Sequence, residues 1–138
     1  MDNALFDKWQ QILAAQPFSV FVGAELAEAS SDRVQLRLPI REHHKQNFGF
    51  VHGGVIGYLA DNALTFAGAI RLGTSSVTAE MKINYIRPAI GDHLIARAEA
   101  ISGGRSQAVT RCDVFVVSEG QEKLCAAAQA TIVALPKP

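Results

Sequence analysis

The chain has 138 residues, 49% of them hydrophobic and 19% charged, and its thirteen Lys+Arg balance thirteen Asp+Glu. That length suits one domain, 1–138, able to bury a core without disulfides or metal. The neutral balance excludes the broad basic field with which a protein grips nucleic acid or an acidic membrane surface.

In chain order, residues 3–15 set Leu5, Trp9, Ile12 and Leu13 on one helical face, and Gln16-Pro17 stops the run. Residues 18–29 alternate loosely, as a strand does. Ser30-Ser31-Asp32 supplies a turn, after which Val34, Leu36, Leu38 and Ile40 alternate with Arg33, Gln35, Arg37 and Pro39. The pair predicts a β-hairpin with one wet face. A polar loop over 41–51 leads into a run from about Gly54 to Leu72 that is apolar nearly all round, the pattern of a buried helix. Asp61, Asn62, Thr65, Arg71 and several glycines inside the run argue against a membrane span, and a soluble, cytoplasmic protein is expected.

Gly73-Thr74-Ser75-Ser76 ends the helix. Residues 77–86 then alternate, with Val77, Met81, Ile83 and Tyr85 on one side, and Arg87-Pro88 and Gly91-Asp92 mark a break. Strands over 93–101, 107–118 and 123–135 follow, joined by turn-rich 102–106 and 118–122. Four consecutive strands on short connections predict an antiparallel meander. A lone apolar helix needs cover on most sides, so the predicted fold is α+β: a curved antiparallel sheet wrapped round one long helix. Cys112 and Cys125 lie in strand-like contexts with no leader at Met1, which predicts two reduced core thiols.

The chemistry concentrates in QNFGFVHGGVIGYLADNA, residues 46–63. An unpaired carboxylate in a low-dielectric core is costly, so Asp61 is either a structural group held by donors or a general base beside a cleft. His52-Gly53-Gly54 is either a tight turn or an anion-binding helix start, where free N–H groups meet the charge that develops on a carbonyl under attack. The eight residues from Gly53 to Asp61 span about 12 Å of helix. A reacting group must come within about 3 Å. If both features serve one site, Asp61 must come from another copy of the helix, antiparallel across a two-fold axis.

HGGVIGYLADNA, followed by TAEMKINYIRPAIGDHLIARAEA and GGRS, resembles the phenylacetate-pathway (PaaI-like) branch of the hotdog-fold acyl-CoA thioesterases, from about Gln46 to the C-terminus. The resemblance implies a five- to six-stranded antiparallel sheet round one long helix, in a homodimer with shared sites that often pairs again into a tetramer. It implies Asp61 as nucleophile or general base on the thioester carbonyl, Gly53 as backbone donor to the oxyanion, and His52 as the residue placing the thioester. Members often carry Asn six residues before this His; here that position is Gln46, with Asn47 next, and either amide can fill the role. Thr78 matches a Ser or Thr credited with holding the hydrolytic water, and an ordinary strand threonine is the competing reading. Coenzyme A is then part of the substrate, with no separate cofactor. Its contacts are implied at Gly54, at Arg87 and Pro88 of the RPA turn, and at Gly104, Arg105 and Ser106 of the GGRS turn, where an arginine fork suits phosphate.

Other classes lack their signatures. No GxSxG elbow, phosphate-cradling or dinucleotide glycine motif is present, and adjacent His43-His44 cannot share one metal from a regular element. Two alternatives stay open, a non-catalytic acyl-CoA-binding or sensing module and a hotdog-type enoyl-CoA hydratase. Phe48, Phe50, Tyr58 and Leu64 point to an apolar acyl or aryl group.

Overall fold

The computed structural model describes residues 3–136; Met1, Asp2, Lys137 and Pro138 lie outside them. Helix α1, Asn3–Ala14, buries Trp9 and Leu13 of its predicted face, with the Trp9 ring packed at a tilt against Phe66, centroids 4.7 Å apart. The stretch read as one strand divides: Pro17–Val22 is a short helix, α2, and only Glu25–Ala29 is strand β1. Pro17 sits in the first turn, where its missing N–H costs nothing. Gly23 ends α2 at a left-handed φ of 93°. Six residues are too few for periodicity to separate a short helix from a strand.

Strand β2 (Val34–Pro39) pairs with β1, and the loop after it winds one 3-10 turn, Glu42–His44. Helix α3 runs Gly53–Leu72 and stops at Gly73, again left-handed. Strands β3 (Ser76–Tyr85), β4 (His93–Gly103), β5 (Gln107–Ser118) and β6 (Gln121–Ala134) complete one six-stranded antiparallel sheet of order β1-β2-β4-β5-β6-β3. The meander prediction therefore holds for β4 to β6 and fails for β3, which pairs with β6 at the far edge. The 86–92 connection is no hairpin turn. Its backbone bonds to Cys125, Val51, Val117 and Ile40 carry the chain across the end of the sheet, from one edge back to β2.

α3 lies across one face of the sheet, against β2 through β6. Leu36, Leu38, Leu59, Leu64, Leu94 and Ile132 are fully buried between them. Each such side chain contributes about 1.5–3 kcal/mol. Helix and β6 approach so closely at Gly68 that a Cβ there would sit 2.7 Å from Ile132. The opposite face carries ion pairs in water, among them Arg97–Glu122 and Arg111–Glu99. One long helix wrapped by a six-stranded antiparallel sheet, preceded by a short N-terminal helix, is the hotdog fold.

β3 contains a bulge between Thr78 and Glu80. Strict alternation put Val77 with Met81, Ile83 and Tyr85; the extra residue reverses the phase. Val77 is thereby turned outward, and Thr78 joins Met81, Ile83 and Tyr85 on the side of the helix. Cys112 and Cys125 are buried free thiols, and burial pushes the Cys125 thiol up to about 11. Among the described residues no helix is long and apolar enough to cross a membrane.

Candidate active site

His52 caps α3: its Nδ1 accepts the Gly54 N–H at 2.8 Å, leaving Nε2 as the ring's donor. The His52 carbonyl receives the N–H groups of Val55 and Ile56. The Gly53 N–H, first in the helix, has no acceptor among the described residues. It opens beside a cleft of about 330 Å³ lined by Gln46, Phe50, Ile56, Tyr85, Arg87 and Pro88. The backbone of His44 holds the capping residue from behind, its carbonyl accepting the His52 N–H at 2.8 Å. His44 itself is buried, with Nδ1 on the Arg41 N–H and Nε2 on the Val22 carbonyl, and burial lowers its pKa.

Asp61 is half-buried on the opposite flank of α3 from the core leucines. Thr78 donates to Asp61 Oδ1 at 2.6 Å, and Thr65, one turn along the helix, bonds the Asp61 carbonyl at 2.7 Å. The two threonine hydroxyls lie 2.7 Å apart. The bulge in β3 makes this possible, because it turns Thr78 toward the carboxylate. Thr65 was not among the expected site residues, although its i+4 spacing from Asp61 on a helix was the available signal. Beside them Tyr58 donates to Ser19 at 2.6 Å, and burial raises the Tyr58 phenol, keeping it a donor.

The remaining candidates separate. Gln46 lines the cleft, with its side-chain carbonyl on the Phe48 N–H, whereas Asn47 is exposed and outside it. Arg87 and Pro88 also line an adjoining cleft of about 400 Å³ with Phe50 and Ile90. Gly104, Arg105 and Ser106 are not near this end within one chain. Their turn follows Gly103, whose Cα is packed under the Arg71 side chain at the C-terminus of α3. Gly53 and Arg71 are separated by roughly 27 Å of helix. Of the expected acyl-pocket residues Phe50 lines the cleft, Phe48 is exposed, and Leu64 is wholly core. The described residues hold no cluster of three His, Cys, Asp or Glu side chains placed for a metal.

The Thioesterase superfamily model matches residues 48–123, a span that runs from before the helix cap into β6. The chain belongs to the thioesterase superfamily. It is 30% identical over 124 residues to human acyl-coenzyme A thioesterase 13, covering 88% of this chain and 89% of that protein. A thioesterase family protein from Silicibacter pomeroyi superposes with a TM-score of 0.89 at 29% identity, covering 94% and 96% of the two chains. The Escherichia coli PaaI protein of the phenylacetic acid degradation operon shares the fold, with a TM-score of 0.84 at 20% identity over 96% of each chain. The curated relatives are named thioesterases or esterases, consistent with a thioester hydrolase.

Proposed function

We propose that this protein hydrolyses the thioester of an apolar acyl- or aryl-CoA, in sites that two copies of the chain share. The observation that carries the reading is a separation. Gly53, whose N–H has no acceptor among the described residues, lines a cleft, while the carboxylate, oriented by Thr78, lies about 12 Å along the same helix. One chain cannot bring both to one carbonyl; an antiparallel partner helix can. Strand β3 supports this, since it is a ten-residue edge with one side of its backbone unpaired. Pairing that edge with a second copy sets two α3 helices antiparallel, and a dimer of dimers is the expected larger assembly.

In this mechanism the thioester oxygen accepts from the Gly53 N–H and is flanked by His52. Asp61 of the other chain attacks the carbonyl carbon or deprotonates a water that Thr78 orients. The tetrahedral intermediate then expels the CoA thiolate, leaving the free acid when water was the nucleophile, or an anhydride on Asp61 that a second water hydrolyses to the acid and the carboxylate. Gln46 faces the acyl carbonyl, and Arg87 lies where coenzyme A leaves the cleft. Gly104, Arg105 and Ser106 serve the phosphates of a site completed from the neighbouring chain. The arrangement suits a cytoplasmic enzyme, where acyl-CoA esters are made and used.

Asp61→Asn and Asp61→Ala, assayed by CoA thiol release on a panel of acyl-CoAs, should lose at least 100-fold in turnover, the scale of losing one oxyanion donor. Near-normal rates in both would sink the assignment. Gly53→Pro deletes the N–H at the first helical position, where proline is well tolerated. Mixed with Asp61→Ala under proven subunit exchange, it should recover part of the activity in hybrid dimers. No recovery would count against shared sites.

A further inference from the structure

The glycines of the helix start have a neighbour that the proposed mechanism does not use. The Tyr85 hydroxyl donates to the Gly53 carbonyl at 2.8 Å. Its ring lies over the same residue: a Cβ on Gly53 would stand 3.4 Å from Tyr85 Cε1 and Cζ, and one on Gly57 would stand 3.3 Å from the hydroxyl. Gly53 and Gly57, one turn apart, therefore form a flat seat for this tyrosine. That seat accounts for Gly57, a third glycine in a stretch of helix where glycine otherwise costs about 1 kcal/mol relative to alanine.

The hydrogen bonds around Gly53 fall into two peptide groups. The 52–53 peptide, which carries the Gly53 N–H, is held through the His52 carbonyl by Val55 and Ile56. The 53–54 peptide is held at both ends, its N–H by His52 Nδ1 and its oxygen by Tyr85. Glycine at a helix start otherwise has wide φ/ψ freedom. With both flanking peptides pinned, the Gly53 N–H keeps one direction before substrate arrives. Preorganised donors of this kind lower a barrier because nothing has to reorganise as charge develops. The same clamp commits His52 Nδ1 to accepting and so turns an Nε2–H outward.

We infer that Tyr85 is a positioning residue that aims the Gly53 N–H, and with it the His52 ring, by clamping the Gly53–Gly54 peptide. This rests on the thioester-hydrolase reading of the same site. Tyr85 reaches this position because the β3 bulge sets its phase with Thr78, so one strand irregularity serves both halves of the chemistry. Tyr85 also lines the cleft beside Gly53, so its hydroxyl stands at the wall past which the thioester must come.

Tyr85→Phe keeps the ring and removes the hydroxyl. The expected result is a roughly tenfold fall in kcat with KM for the acyl-CoA within about twofold, an unchanged melting temperature, and faster hydrogen exchange at the Gly54 amide. Gly57→Ala, whose methyl would press on the Tyr85 hydroxyl, should lower kcat by less than Tyr85→Phe and add little to it, because both act on one contact. Wild-type kcat in Tyr85→Phe, a loss confined to KM, or additive effects of the two substitutions would each overturn the clamp. Asp61→Asn run alongside separates the two levels. If Asp61→Asn is inactive while Tyr85→Phe is normal, only Tyr85's role falls. If Asp61→Asn turns over normally, the hydrolase reading falls and the clamp with it.

Discussion

The two flanks of α3 are built on opposite terms. On one, Ile56, Leu59, Ala60, Ala63, Leu64 and Ala67 present hydrocarbon alone and are buried against the sheet. On the other, Tyr58, Asp61, Asn62 and Thr65 are half-buried, and their hydroxyls, amide and carboxylate are tied to one another and to Ser19 and Thr78. The first flank is closed by packing, so it holds the helix still. The second is satisfied by hydrogen bonds that leave an edge open, so it can take a ligand or a second chain. Stability and chemistry are separated by half a turn of one rigid element, which is how a carboxylate can be held firmly without being sealed away.

Substitutions on the two flanks should separate cleanly. The largest expected effect is on the polar side, where Asp61→Asn loses at least 100-fold in turnover while its urea midpoint stays near wild type. Next comes Leu64→Ala on the apolar side, expected to cost about 2–5 kcal/mol in urea unfolding while the folded fraction keeps its specific activity. An equal loss of activity per folded molecule would erase the division. Thr78→Val keeps the volume and removes the donor to Asp61; turnover should fall roughly tenfold with stability changed by about 1 kcal/mol.

The smallest effect is one of pH. Burial lowers the pKa of His44 below its ordinary 6.5, so the unfolded chain binds its proton first as the solution is acidified. Stability from this group is complete above 6.5 and is lost as pH falls through the lowered folded value. His93 is shifted the same way, by burial and by Arg37, so the urea midpoint of His93→Gln should still drop between about pH 7.5 and 5.5. A flat midpoint in that variant would remove His44 as the acid-sensitive pin behind the helix cap.

Much of this molecule follows from local pattern. The spacing of Trp9 and Leu13 marks α1, the alternation of Val34, Leu36 and Leu38 marks β2, and turn residues bound the β4–β6 meander. The predominantly apolar run 54–72 marks a helix needing cover on most sides, and His52-Gly53-Gly54 marks its start. These signals are legible because a few neighbouring residues decide them. The distance from Gly53 to Asp61 is legible too, since helical rise is constant.

What the chain alone could not say concerns partners far away in sequence. The place of β3 beside β6 depends on a connection that crosses the sheet instead of turning back. Most telling is the bulge after Thr78, an irregularity of register between two strands about 50 residues apart. It turns Thr78 onto Asp61 and keeps Tyr85 on the helix side with it, and Tyr85 meets Gly53. Composition and spacing decided that there would be a buried helix with a capped, donor-rich start and one carboxylate. Only the pairing of β3 with β6 decided which hydroxyls those groups would meet, because side-chain facing in a strand is set by its neighbour's register and not by its own residues.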